Sequence, residues 1–260
     1  MNSLSKPARW AVITGASDGI GRAFAVELAA RNWGCVLVAR RGDVLEALAD
    51  EVGADRCMIL PLDLGDPGAA HVLAEATADL RVEMLVAAAG FGTSGSFVRA
   101  VLADELAMID LNCRSVAAQV HLFAGRMAAQ GRGGIILFSS LVAFQGVPRS
   151  ANYAATKAYI QTLAEGLRPE LKPYGVDVLS VAPGPIASGF AARAGLTMGM
   201  SQTPDVVAKG ALAALGKTTT VKPGWLAQLL ITSLGFLPRW GRTLVVGQIM
   251  AGMTKNKASA

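Results

Sequence analysis

At 260 residues, 52% of them hydrophobic, the chain can bury a large core, and it reads as one domain spanning 1–260 rather than two small ones. Its 24 Lys and Arg against 19 Asp and Glu give a charge of +5, spread without a basic block or interleaved aromatics, which argues against nucleic acid and suits a phosphorylated ligand. Cys35, Cys57 and Cys113 are scattered and odd in number, and His71 and His121 stand alone, so free thiols are expected, no metal site is, and neither histidine reads as catalytic.

The chain opens MNSLSKPARWAVITGAS, which lacks the apolar core and cleavage site of a signal peptide, and a cytoplasmic protein is expected. Short β-branched runs then alternate with longer Ala/Leu-rich segments. RWAVIT reads as the first strand, followed by CVLVA, RCMILPL, EMLVAAA, GIILFSS and VDVLSVAP. Helices are expected between them at 19–32, 43–53, 66–80, 104–130 and 150–172, with Pro67 near one start and Pro173 after another end. This alternation predicts an α/β fold: a Rossmann-type, doubly wound parallel sheet of about seven strands with helices on both faces.

Beyond Pro183 the sequence turns rich in Gly, Ala and Met, and 186–203 reads as a substrate lid, its cover reaching about residue 215. Phe190, Met198 and Met200 are its adaptable apolar groups. A helix near 204–215 and a short strand at 219–222 follow. The uncharged run PGWLAQLLITSLGFLP at 223–238 has 16 residues, short of the roughly 20 that span a bilayer. With Trp225, Phe236 and Trp240, flanked by Arg239 and Arg242, the segment 223–254 has three readings: a pocket wall, a subunit interface, or a peripheral membrane contact.

The first strand runs into TGASDGIG, residues 14–21. Its glycines, Gly15, Gly19 and Gly21, sit where a strand turns into a helix, and there backbone N–H groups and a helix N-terminus meet a pyrophosphate. About 20 positions on, where a dinucleotide fold meets the adenosine ribose, stand Arg40 and Arg41. Guanidinium groups favour a 2′-phosphate, so NADP(H) is preferred over NAD(H), with Asp43 as a rival ribose ligand. Tyr153 and Lys157 lie four apart on one face of an alanine-rich helix, so the cation can act on the phenol.

Taken in order, TGASDGIG at 14–21, AAAG at 87–90, Asn112, Ser140, the Y-x-x-x-K at 153–157 and PGPIAS at 183–188 resemble the short-chain dehydrogenase/reductase superfamily over roughly residues 8–190. The resemblance implies that Tyr153 is the general acid or base for a substrate oxygen and that Lys157 favours the phenolate and holds the nicotinamide ribose. It further implies that Ser140 hydrogen-bonds the substrate oxygen and that Asn112 holds a relay water behind Lys157. Ser139 fits the strand end equally well by composition; the choice of Ser140 rests on the family spacing, 13 positions before Tyr153.

An amide inside an apolar helix such as 104–130 otherwise reads as a satisfied structural group. Asp63 resembles the residue that contacts the adenine amino group, against the plain reading of a turn cap. The implied cofactor set is Gly15, Ser17, Asp18, Gly19, Ile20, Gly21, Arg40, Arg41, Asp63, Gly90, Tyr153, Lys157, Pro183, Gly184, Ile186 and Ser188. Two departures stand out: AAAG replaces the commoner NNAG, leaving Gly90 to keep room for the cofactor, and the glycine-rich end of many tetrameric members is not evident. The function implied is interconversion of an apolar ketone and a secondary alcohol by a homodimer or homotetramer. The alternative is a nucleotide-binding regulatory or scaffold protein without turnover.

Overall fold

The computed structural model describes residues 7–196, 201–224, 228 and 236–253. Seven strands, β1 (Trp10–Thr14), β2 (Gly34–Ala39), β3 (Cys57–Pro61), β4 (Val82–Ala87), β5 (Gly133–Phe138), β6 (Val176–Val181) and β7 (Thr220–Val221), form one sheet in the order β3-β2-β1-β4-β5-β6-β7, all pairings parallel. The order reverses between β1 and β4, and a doubly wound sheet opens its ligand crevice at such a point, beyond the carboxyl ends of the strands.

Strand residues alternate between two cores. Ala11, Ile13, Cys35 and Leu37 face α1 (Gly19–Ala29), α2 (Gly42–Val52) and α8 (Pro204–Ala214) through Phe24, Leu28, Leu45, Val207 and Ala211. Val12, Val36, Val38, Leu85 and Ile135 face α3 (Ala69–Ala76), α5 (Val116–Gln130) and α6 (Ala151–Leu171) through Leu73, Val120, Phe123, Met127 and Ile160. Apolar residues on both faces are what a sheet covered by helices on each side demands.

Three elements differ from the sequence expectation. The helix expected at 104–130 is interrupted: α4 (Leu102–Ile109) passes into a π-helical stretch, Asp110–Ser115, before α5. A π-bulge inserts an extra residue and re-aims side chains, here Asn112. The helix expected at 66–80 is regular only over Ala69–Ala76, because Gly68, at φ +84°, holds the chain out of helical geometry until there. The cover expected to reach residue 215 stops short of α8, whose Val207, Ala208 and Ala211 are fully buried against α1. What remains over the crevice is the short helix α7 (Phe190–Ala194), in a segment pinned by a parallel bridge between Ile186 and Gln202. Met198, Met200 and Trp225 lie outside the described residues.

The C-terminal helix α9 (Arg239–Met253) packs Val246 and Met250 against Val147 and Ala154. Its opposite side leaves Trp240 and Leu244 exposed, as is Phe236 before it. Among the described residues, no helix is long and apolar enough to cross a membrane.

Candidate active site

A cleft of about 920 Å³ opens along the carboxyl edge of the sheet, near the upper end of the usual range for ligand sites. Every residue of the expected cofactor set lines it, together with Ser140. Asn112 and Asp43 do not.

At the glycine turn, Asp18 caps α1 by accepting a hydrogen bond from Gly19 N at 2.7 Å. Its other oxygen accepts from Gly189 N at 2.9 Å, tying the turn to the loop after β6. Gly15 has φ +68°, and a Cβ there would lie 2.9 Å from Ala89 N. A Cβ on Gly21 would lie 2.3 Å from Gly15 O, so α1 can approach the turn only without one. Beside the capping Asp18, the glycines bring the backbone of the turn and the start of α1 directly to the cleft, a cradle that fits a pyrophosphate.

Arg41 reaches back to this turn, donating to Ser17 Oγ at 3.2 Å. Arg40 lies 3.7 Å from Asp63 Oδ2, with both side chains substantially exposed. Asp63 does cap its turn, accepting from Gly65 N at 3.0 Å, while still bordering the cleft. Two guanidinium groups thus flank the ribose end, and Arg41 is held there by a neutral hydroxyl.

At the other end, α6 presents Tyr153 and Lys157, with the Lys157 ammonium 5.7 Å from the Tyr153 ring centre. Lys157 is buried and donates to Phe138 O at 2.9 Å. Burial pulls its pKa down to about 8, opposed only in part by Cys113. Burial likewise pushes the Tyr153 phenol far above its ordinary value, a hydrogen bond with Ser140 opposing. The sequence reading had Lys157 favouring the phenolate. Without cofactor, burial is the largest influence on this phenol and favours its protonated form.

Ser140 faces the cleft and accepts from Val142 N at 3.4 Å. Ser139 turns inward instead, its hydroxyl 2.8 Å from Gln161 Oε1 and 2.9 Å from Ser180 Oγ. Asn112, 1% exposed, lies beneath the floor. Its amide clasps both backbone groups of Phe91, accepting from N at 3.1 Å and donating to O at 2.8 Å, and also donates to Thr156 Oγ1 at 3.1 Å. The space left by the missing Cβ of Gly90 is filled on one side by Asn112 Oδ1, 2.9 Å from where that Cβ would be. Gly90 thus makes room for the amide as well as bordering the cleft.

Sequence reasoning missed the wall beyond Tyr153. Phe91, Leu141, Val142, Gln145, Arg193 and Leu196 line it, as do Val246, Ile249 and Met250 of α9. Of the three readings of the C-terminal segment, the pocket wall holds for these α9 residues; their i, i+4 spacing, Val246 to Met250, was the available signal. Phe190, singled out as a lid residue, packs its ring 5.4 Å from that of Tyr153.

The short-chain dehydrogenase family model matches residues 9–198, most of the chain. The chain belongs to the short-chain dehydrogenase family. It is 35% identical over 188 residues to the 7beta-hydroxysteroid dehydrogenase of Clostridium sardiniense, covering 71% of this chain and 72% of that one. A solved structure of a 7beta-hydroxysteroid dehydrogenase superposes with a TM-score of 0.85 at 26% identity, over 95% of this chain and all of that one. A short-chain dehydrogenase from Sphingobium yanoikuyae in complex with NADPH superposes with a TM-score of 0.78 at 28% identity, over 86% of this chain and 92% of that one. As a short-chain dehydrogenase, this chain is an oxidoreductase that uses a nicotinamide cofactor to interconvert carbonyl and alcohol groups.

Proposed function

We propose that the protein is an NADPH-dependent reductase of an apolar ketone, with Tyr153 as the general acid. The observation that carries this reading is the grouping of side chains: the Tyr153 phenol lines the cleft with Ser140 and Lys157 at one end, and two guanidinium groups line the other. A proton donor at neutral pH is what carbonyl reduction needs at the substrate oxygen.

The cofactor supplies the hydride. Ser140 hydrogen-bonds the carbonyl oxygen and stabilises the charge that grows there, while Tyr153 delivers its proton to that atom. Lys157, an ammonium below about pH 8, lies close enough to stabilise the phenolate left behind. Asn112 contributes by holding Phe91 and Thr156 in place around this group. Gly15, Ser17, Ile20, Gly90, Pro183, Gly184, Ile186 and Ser188 shape the cofactor's bed, and Arg40 and Arg41 take its 2′-phosphate. The apolar wall from Phe91 to Met250 points to a hydrophobic substrate, and the hydroxysteroid dehydrogenase relatives support that size class.

The same reading gives a cytoplasmic enzyme, supported by three free thiols, and a homo-oligomer in which a second copy covers Trp240 and Leu244. Light scattering of the wild type and Trp240→Glu tests the oligomer: the variant should dissociate.

The functional test is a panel of apolar ketones read by NADPH absorbance with wild type, Arg40→Ala and Arg41→Ala. Loss of a charge-assisted phosphate contact should raise the NADPH KM about tenfold while leaving NADH unchanged. Equal use of NADH and NADPH by the wild type would overturn the cofactor assignment.

A further inference from the structure

Beyond the reacting groups, the substrate end of the cleft is mostly apolar, with the neutral Gln145 and one cation in its wall. Phe91, Leu141, Val142, Leu196, Val246 and Met250 form its wall. Apart from Lys157 in the floor, the ionised group that lines this end among the described residues is Arg193, on α7. Its guanidinium lies 4.1 Å from the centre of the Phe91 ring. Phe190, one helical turn earlier, packs on Tyr153, which places Arg193 at the rim of the chamber where the reacting oxygen must sit.

The acid that reaches this element, Asp18, is held by the N–H groups of Gly19 and Gly189. No ion pair to Arg193 is formed among the described residues. A guanidinium held over an aromatic ring by a cation–π contact still has N–H groups to offer, in the fork that matches a carboxylate.

We propose that Arg193 anchors a carboxylate at the far end of an apolar ketone substrate, so that the enzyme acts on oxo acids in preference to neutral ketones of the same shape. This rests on the ketoreductase reading above and adds to it the chemical class of the substrate. The cation orients the molecule: the acid is fixed at the rim, the apolar body lies along the wall, and the carbonyl comes to Ser140 and Tyr153.

The test measures binding, so that it stands apart from turnover. A medium-chain oxo acid with an internal ketone and its methyl ester are titrated calorimetrically into protein saturated with NADP⁺, for wild type, Arg193→Gln and Arg193→Lys. The acid should bind the wild type about tenfold more tightly than the ester, as one charge-assisted contact provides. Arg193→Gln should erase that gap, Arg193→Lys should keep part of it, and affinity for the ester and for NADP⁺ should not change. Equal binding of acid and ester to the wild type, a gap that survives Arg193→Gln, or binding of neither ligand overturns the proposal. Weakened NADP⁺ binding in Arg193→Gln also overturns it, by assigning the guanidinium to the cofactor. Reduction of neutral ketones by wild type and Arg193→Gln alike would leave the ketoreductase reading standing while this one fails.

Discussion

Replacing Asn112 by alanine should destabilise the protein by about 4 kcal/mol, and the figure follows from what the amide leaves behind. Phe91 is buried, and its N–H and C=O are both bonded by Asn112, at 3.1 and 2.8 Å. Each stranded buried group costs about 1–3 kcal/mol, so the two together cost roughly 2–6. Thr156 adds little, because its hydroxyl keeps its bond to Tyr153 O at 2.8 Å. Asn112→Asp separates donor from acceptor: it still accepts from Phe91 N but sets a carboxylate against Phe91 O, and it should cost nearly as much. Urea unfolding followed by tryptophan fluorescence, without cofactor, measures both. A loss below about 1 kcal/mol in Asn112→Ala would refute the view that this amide braces the cleft floor.

Other consequences can be checked separately. A Cβ at position 21 would run into Gly15 O, so Gly21→Ala should fold yet bind NADPH at least about tenfold more weakly; unchanged affinity would contradict the close approach of helix and turn. The lowered Lys157 pKa means that the unfolded chain binds the extra proton between about pH 8 and the ordinary lysine value of 10.5. Stability without cofactor should therefore rise across that window, by on the order of 3 kcal/mol at most, relative to Lys157→Met, and an equal pH profile in the two proteins would contradict it. Burial raises the thiols of Cys35 to about 12 and Cys57 to about 11, so both should alkylate slowly at neutral pH in the native protein and rapidly in urea. Fast native alkylation of either would refute that burial.

The sheet was legible because parallel strands buried on both faces write themselves as short apolar runs, and RWAVIT, CVLVA and GIILFSS became β1, β2 and β5 almost unchanged. The cofactor end was legible too, since a glycine turn and its following cations are local in sequence. What the sequence could not display is the π stretch at Asp110–Ser115: its hydrophobic pattern continues that of the flanking helices, and only the backbone shows the extra residue that aims Asn112 at Phe91. The substrate wall was hidden for another reason. Phe91, Arg193 and Met250 come from three distant loops and helices, and no spacing links them. The effect of burial on Tyr153 also depends on how much protein surrounds the phenol, which spacing alone does not reveal.

The central claim is that Tyr153 supplies the proton to a ketone oxygen. Its most direct test is Tyr153→Phe, with NADPH affinity and single-turnover oxidation of bound NADPH measured side by side on a ketone the wild type reduces. The predicted result is NADPH binding within about twofold of wild type and a chemical step slowed by about 10²-fold or more, the range that one general acid contributes. A variant that oxidises NADPH at the wild-type rate on that ketone would contradict the claim.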